Sequence, residues 1–231
     1  MQISSNDYET KTAEELIQWT IDQYGLKAGL ACSFGMEDMV LIDIVAKAKG
    51  PMTIFTLDTG RLHEETYQVM DRVRSHYGLE IKTYFPNLEQ VQVLVREKGF
   101  FSFKESIENR KECCGIRKVE PLNRALGELD AWVTGLRRDQ AVTRTQTPKV
   151  LEDADHPPLL KINPLADWTQ DQVESYIEKN KVPVNALHKK NYPSIGCAPC
   201  TRPIESGEDI RAGRWWLENP EHKECGLHPR N

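Results

Sequence analysis

Short apolar runs alternate with longer amphipathic stretches along the first two thirds of the chain. The apolar runs have the length of buried strands, and they lie at residues 29–34, 52–57, 80–85 and 131–134. In the amphipathic stretches apolar residues recur three and four positions apart, which predicts helices at residues 37–48, 64–77, 88–98 and 119–126. This alternation predicts an α/β fold, a parallel twisted sheet with helices on both faces.

An earlier helix carries its own start and stop signals. Thr12 and Glu15 have the spacing of a capping box, and Gly25 supplies the stop. From about residue 182 the chain becomes irregular and rich in Pro, Gly and charged residues. We therefore expect a single domain over residues 1–231, with an α/β core at 26–181 and an irregular segment at 182–231.

Three polar loops follow predicted strands, at the edge where ligands bind in open parallel sheets. They lie at residues 33–38, 58–61 and 135–138. Ser33 and Gly35 form a turn that leads into a helix, so backbone N–H groups and the helix dipole offer a site for an anion. One such loop is usually a plain connection, whereas three at equivalent ends favour a nucleotide site. Both interpretations remain open at this point.

The composition limits the class of protein. The chain has 231 residues, of which 39% are apolar, and a formal net charge of −5. That charge argues against a nucleic-acid binder that depends on a broad positive field, so any anion must be bound by local basic residues. We expect no signal peptide and no membrane span, and therefore a cytoplasmic protein, in which cysteine clusters usually serve metals or catalysis.

The cysteines carry the most specific chemical signal. Six are present, at Cys32, Cys113, Cys114, Cys197, Cys200 and Cys225. Zinc sites usually use cysteines two to four residues apart, and an adjacent pair suits a single zinc ion badly. An iron–sulfur cluster spreads its thiolates over several irons, so neighbouring cysteines can each bind a different iron. A cluster is the favoured interpretation and zinc the alternative, while disulfides are disfavoured in the cytoplasm.

The C-terminal segment adds a candidate nucleophile. Cys225 is followed by Gly226, and His228 can lower the pKa of its thiol or contact an anionic substrate. An incidental surface cysteine is the alternative. Upstream, Arg211 and Arg214 stand three residues apart, as on one face of a helix, a spacing that suits an anion clamp as well as a solvated face.

These motifs together resemble one family. The cysteine motifs lie at residues 113–118, 197–200 and 224–228, and the matching loops at 33–35, 57–61 and 134–140. They are similar to those of the assimilatory sulfonucleotide reductases, and the two cysteine pairs resemble the cluster-containing bacterial adenylyl-sulfate (APS) reductases. Members that use only the 3′-phosphorylated nucleotide (PAPS) typically lack both pairs. The resemblance spans about residues 28–228.

The resemblance implies a role for each matching residue. The ligands of a [4Fe–4S] cluster would be Cys113, Cys114, Cys197 and Cys200. The nucleotide pocket would be lined by Ser33, Gly35, Leu57, Gly60, Gly135 and Arg144. The phosphosulfate would be held by Arg211, Arg214 and His228. Lys118 would lie between cluster and substrate, and Cys225 would be the nucleophile. Cys32 matches no family role and is interpreted as a buried strand residue.

The resemblance also implies a fold and a reaction. The fold would be that of the adenine nucleotide alpha hydrolases, with a nucleotide-binding core at 26–181 and a cluster-binding, catalytic segment at 182–231. The reaction would reduce APS, with PAPS as an open second substrate, to sulfite and AMP in assimilatory sulfate reduction. An S-sulfocysteine on Cys225 would be reduced by thioredoxin. We expect neither a nucleic-acid nor a membrane partner, and a homo-oligomer stays open.

Two other functions remain open on the residues alone. One is a nucleotide-binding iron–sulfur redox sensor, in which Cys225 would be dispensable. The other is an ATP pyrophosphatase-type enzyme of sulfur transfer to RNA. The loop at 33–38 lacks the second Gly and the final Ser of the Ser-Gly-Gly-x-Asp-Ser loop of those enzymes, which makes ATP a less favoured substrate.

Overall fold

The computed structural model of the protein describes residues 5–140, 144–216 and 218. These residues divide into two compact units. The first unit consists of residues 5–56, 69–82, 126–140 and 144–185. The second unit consists of residues 57–68, 83–125, 186–216 and 218.

The strands form one mostly parallel sheet. They are β1 (Ala28–Ala31), β2 (Thr53–Leu57), β3 (Lys82–Tyr84), β4 (Ala131–Val133), β5 (Val150–Glu152) and β6 (Leu160–Ile162). Their order is β3-β2-β1-β4-β6-β5. Strand β1 pairs in parallel with β2 and β4, and β4 with β6, whereas β5 pairs antiparallel with β6 at the edge. The α/β prediction is confirmed, with one antiparallel edge strand that the sequence did not indicate.

Seven α-helices occur in the described chain. They are α1 (Ala13–Tyr24), α2 (Met36–Lys47), α3 (Glu64–Tyr77), α4 (Leu88–Lys98), α5 (Ile107–Cys114), α6 (Glu120–Leu126) and α7 (Gln170–Asn180). The predicted helices are confirmed to within one or two residues, while α5 and α7 were not predicted. None of the helices in the described ranges combines the length and apolar content needed to cross a bilayer.

Helix α1 begins and ends where the sequence indicates. Thr12 Oγ1 accepts the Glu15 backbone N–H at 3.1 Å, and the Glu15 carboxylate accepts the Thr12 N–H at 2.8 Å. Gly25 ends the helix with a φ of 51°, a value that favours glycine. Leu16 and Ile17 are fully buried in the core of the first unit. The apolar residues of this amphipathic helix therefore form its buried face.

The cysteine pair of the second unit lies on a helix rather than before one. Cys113 and Cys114 form the last turn of α5, which continues through a π-helical turn, Gly115–Val119, into α6. Ser106 caps α5 by accepting the Asn109 N–H at 3.1 Å. Such π-turns within helices often accompany functional sites.

The predicted helical face at Arg211 and Arg214 is wrong. Residues 211–216 form turns, and Arg214 makes an isolated antiparallel bridge with Thr201. Gly213 explains the difference, because a Cβ there would lie 2.2 Å from the Arg202 carbonyl oxygen. This close approach lets the Gly213 carbonyl accept the Arg202 N–H at 3.0 Å, so the segment pairs with an earlier one.

Candidate functional site

Two loops of the first unit meet at one edge of the sheet. Strands β1 and β4 are parallel neighbours, so the loops that follow them leave from the same side. The Ser33 backbone N–H and Oγ both donate to one carboxylate oxygen of Asp38, at 2.6 and 2.7 Å. A Cβ on Gly135 would lie 2.7 Å from the other oxygen of that carboxylate. Ser33, Gly35 and Gly135 therefore come together around the start of α2.

Arg144 is connected to the same loops through a chain of hydrogen bonds. Its Nη1 donates to Gln140 Oε1 at 2.6 Å, and Gln140 Nε2 donates to Glu37 Oε1 at 2.8 Å. The same Glu37 oxygen accepts from Nε of the buried Arg137 at 3.0 Å. Four of the six residues predicted to line a nucleotide pocket thus form one hydrogen-bonded region of the first unit.

The buried carboxyl group of Asp38 limits which anions can bind at this edge of the sheet. Burial raises the pKa of its carboxyl from 3.8 to about 6, although the hydrogen bonds from Ser33 act in the opposite direction. The carboxylate takes up the Ser33 N–H, a backbone donor that a phosphate group would otherwise use. An acidic group at this position disfavours a second, highly charged anion there, such as the triphosphate of ATP.

Leu57 and Gly60, the other two predicted pocket residues, belong to the second unit. Leu57 ends β2. Gly60 has a φ of 69°, and its N–H donates to Asp58 Oδ1 at 2.8 Å. The turn therefore requires a residue that tolerates the left-handed region, and glycine is the residue that does so without strain.

The two cysteine pairs of the second unit line a single cavity. Six of the predicted site residues border it, namely Cys113, Cys114, Cys197, Cys200, Lys118 and Arg214. Five further residues complete its wall, namely Arg61, Phe103, Arg110, Arg117 and Trp215. The described cysteines form no disulfide. These four cysteines are the residues that could hold a cofactor.

Local hydrogen bonds hold the later cysteine pair in place. Cys197 precedes a 3₁₀ turn, Ala198–Cys200, whose first N–H donates to the Arg61 carbonyl at 2.8 Å. Thr59 Oγ1 lies 3.2 Å from Cys197 Sγ. The Trp215 N–H donates to the Cys200 carbonyl at 3.1 Å. Contacts from two other segments, residues 59–61 and Trp215, thus hold this loop in place.

Arginines provide most of the positive charge at this cavity. Arg117 donates to the Thr59 carbonyl at 2.7 Å, while its Nε is buried without a hydrogen-bond partner among the described residues. Arg214 packs so tightly on Gly196 that a Cβ there would lie 2.5 Å from its Nη2, and its Nη1 donates to Ser194 Oγ at 3.2 Å. The cavity is therefore prepared for a negatively charged occupant.

The surroundings of the cavity thiols disfavour their ionisation. Burial, together with the neighbouring Cys197 and Cys114, raises the pKa of Cys200 to about 12, although Lys118 acts in the opposite direction. Burial also raises the pKa of Cys113, against the opposing effect of Arg61. No three Cys, His, Asp or Glu side chains of the described ranges are grouped so as to hold one metal ion.

The remaining predictions divide into three groups. Arg211 is not among the residues that line the cavity. Cys225 and His228 lie outside the described residues. Cys32 is 5% exposed, and burial raises the pKa of its thiol well above the usual range, so its predicted burial is confirmed, although it lies one residue past the end of β1.

Three arginines of the cavity wall were not among the predicted site residues, namely Arg61, Arg110 and Arg117. Two of them had a readable signal, because Arg110 and Arg117 lie three or four residues from the cysteine pair and so share its face once a helix is assumed. Arg61 had no such signal, since only the folded chain brings it to the cysteines.

Comparison with known proteins identifies the family. Residues 27–203 match the phosphoadenosine phosphosulfate reductase domain. The chain is 52% identical over 200 residues to an adenosine 5'-phosphosulfate reductase of Allochromatium vinosum, covering 87% of this chain and 78% of the relative. It is 43% identical over 226 residues to one of Pseudomonas aeruginosa (strain LESB58), covering 96% and 84%.

Solved structures agree with this match. The phosphoadenylyl-sulfate (PAPS) reductase of Candida auris superposes with a TM-score of 0.74 at 25% identity, covering 88% of this chain and 99% of the other. The FMN adenylyltransferase of Candida glabrata, at 15% identity and a TM-score of 0.56, covers 95% and 75% and shares the fold alone. The chain belongs to the phosphoadenosine phosphosulfate reductase domain family.

Proposed function

We propose that this protein is an oxidoreductase that reduces adenosine 5′-phosphosulfate to sulfite and AMP. The observation that carries the proposal is the single cavity bordered by four cysteines and Lys118. Relatives 52% identical to the chain are named adenosine 5'-phosphosulfate reductases, which supports this substrate. PAPS is a second substrate to be compared, because a 3′-phosphate needs only a nearby basic residue and room.

The four cysteines are proposed to hold a [4Fe–4S] cluster. The donor set fits, because four thiols border one cavity and each can bind one iron. A single zinc ion would draw four sulfurs to within about 3.8 Å of one another, a geometry that the adjacent pair Cys113 and Cys114 suits badly. The buried guanidinium of Arg117 faces the same cavity and would offset the thiolate charge. When bound, the cluster would supply a fixed negative centre, and Lys118 borders the same cavity.

The nucleotide is proposed to bind at the loops that follow the strands. In the first unit these contribute Ser33, Gly35, Gly135 and Arg144, and in the second unit Leu57 and Gly60. Ser33 donates to the Asp38 carboxylate and Gly135 packs closely against it, which supports one loop surface within the first unit. The Asp38 carboxylate at that surface argues against an ATP pyrophosphatase, because the triphosphate of ATP carries more negative charge than the phosphosulfate of APS and would be repelled more strongly.

The phosphosulfate is proposed to lie against cations of the second unit. Lys118 and Arg214 border the cysteine cavity, and Arg211 precedes Arg214 by three residues. As AMP departs, negative charge grows on its phosphate, and fixed cations stabilise that charge more in the transition state than in the ground state. His228 is proposed to contact the same group.

The proposed nucleophile is the thiolate of Cys225. It attacks the sulfate sulfur, so that an S–S bond forms while the S–O bond to the phosphate breaks and AMP leaves with the electron pair. A dithiol protein of the thioredoxin kind then attacks Sγ of the S-sulfocysteine and releases sulfite. Its second thiol resolves the mixed disulfide, so the dithiol supplies both electrons and free Cys225 returns. Cys32 cannot replace this reductant because it is buried.

A stalled first turnover tests the proposal. Reduced enzyme mixed with APS and no dithiol should release about one AMP per site and stop, with mass spectrometry placing the adduct on Cys225 alone. Cys225→Ser should keep its iron and bind nucleotide, yet lose the burst. Cys32→Ala is the matched control, because it removes a cysteine without a proposed role. A normal burst from Cys225→Ser would refute Cys225 as the nucleophile, whereas nucleotide binding without any AMP release from the wild type would support the redox-sensor alternative.

A further inference from the structure

Arg110 is a buried cation of the second unit that no proposed catalytic step uses. Its side chain is 2% exposed, and it lies on α5, one turn before Cys114. Its Nε and Nη2 donate to the two carboxylate oxygens of Glu218, at 2.8 and 2.6 Å. The guanidinium also lies 5.1 Å from the ring centroid of Trp215. The pair is therefore bidentate, buried and packed against an aromatic ring.

Glu218 stands on the chain that leads to the proposed nucleophile. It precedes Cys225 by seven residues. Its own N–H donates to the Trp215 carbonyl at 2.8 Å, and the Trp215 N–H donates to the Cys200 carbonyl. The segment is thus attached to the later cysteine pair at Trp215 and to the helix of the earlier pair at Glu218.

Stability alone explains this pair poorly. Removing a guanidinium and a carboxylate from water costs several kcal/mol per ion, and apolar side chains of the same volume often stabilise a fold as well or better. A bidentate Arg–carboxylate pair offers something that apolar packing does not, because it fixes both distance and direction. Here it fixes the position of Glu218, from which the chain continues to Cys225.

We propose that Arg110 and Glu218 form a positioning anchor for the catalytic tail, an inference that rests on the proposed role of Cys225. Seven residues from a fixed Glu218 allow the thiol to reach at most about 25 Å. Without the pair, the next attachment among the described residues is Trp215, ten residues before Cys225, and the upper limit of the reach grows to about 36 Å. The effective concentration of a tethered group falls as the −3/2 power of length or more steeply, so it drops about twofold.

The rate of the AMP burst tests the anchor. Glu218→Gln keeps the shape of the side chain and removes its charge, so the burst should slow at least about twofold while its amplitude stays near one AMP per site. Iron content should equal that of the wild type, and AMP affinity measured in the Cys225→Ser background should not change. Arg110→Lys keeps the charge but cannot bind both oxygens, so it should slow the burst as well.

Glu208→Gln is the matched control. Glu208 accepts from both terminal nitrogens of Arg202, at 2.8 and 2.7 Å, in the same part of the chain. That pair is about one third exposed and does not border the cysteine cavity. Its loss removes a bidentate ion pair without releasing the chain at Glu218, so the burst should keep the wild-type rate.

A spin label on the Cys225 thiol gives a readout that does not depend on turnover. Cys32 is buried and the other cysteines are proposed ligands, so a nitroxide should attach at Cys225. Its spectrum should show greater mobility in Glu218→Gln than in the wild type or Glu208→Gln. An unchanged burst rate or unchanged label mobility in Glu218→Gln would overturn the anchor, as would a loss of iron in both anchor variants. A more mobile label together with no burst from the wild type would refute the nucleophile and retain the anchor.

Discussion

Replacing Gly135 by alanine tests the packing of the proposed nucleotide loops. The new Cβ would lie 2.7 Å from Asp38 Oδ1 and 2.9 Å from Glu37 Cβ, closer than real Cβ contacts. The Asp38 carboxylate cannot move away freely, because its other oxygen accepts both the N–H and Oγ–H of Ser33. The clash therefore has to displace the loop after β4 or the start of α2.

The cost follows from the clash. Overpacking a well-filled site costs about 1–3 kcal/mol, and for a chain of this size each kcal/mol lowers Tm by about 2–4 °C. We expect Tm of the holoenzyme, followed by circular dichroism, to fall by about 2–12 °C and affinity for AMP to weaken. Gly35→Ala is the matched control, because its Cβ would meet Ser33 Oγ at an ordinary 3.8 Å. Its Tm should stay within about 2 °C of the wild type.

A double-mutant cycle identifies the clashing partner. In an Asp38→Ala background the 2.7 Å contact is gone, so Gly135→Ala should cost less there than in the wild type. Equal costs in the two backgrounds would refute the reasoning. So would a Gly135→Ala protein with the Tm and AMP affinity of the wild type, since nothing would then have been displaced.

Two further predictions concern charge and ligation. Burial raises the pKa of Asp38 to about 6, so its ionised form opposes folding and the stability it confers falls as pH rises between about 4 and 6. The free energy of unfolding can be measured by urea denaturation. Between pH 5 and pH 7.5, that of Asp38→Asn should rise relative to that of the wild type by roughly 1.5 kcal/mol. A difference between the two proteins that does not change with pH would contradict a buried carboxylate. Cys197→Ser should lose iron, activity and Tm, because ligation is coupled to folding, while Cys32→Ala keeps its iron. A full iron complement in Cys197→Ser would remove that residue from the ligand set.

Local signals decided which elements were predictable. The long amphipathic helices were predicted nearly to the residue, and the capping box at Thr12 was correct. Helix α7 has the same signal, Thr169 followed by Gln172, and was missed although it was readable. Helix α5 is mostly polar, so it carries too little apolar periodicity to stand out. Strands β5 and β6 were also missed, and their length of three residues does not explain it, because β3 and β4 are equally short and were predicted.

The sequence by itself determined the α/β class, the loops after the strands and the two cysteine pairs that are proposed as cluster ligands. Each depends on residues close together in the chain, where periodicity and motif spacing act. Only the tertiary structure decided that Arg61 borders the cysteines and that Arg211 lies outside the cavity wall. The physical reason is that a guanidinium is buried by packing between distant segments, as when Gly196 admits Arg214, and no local pattern records that contact.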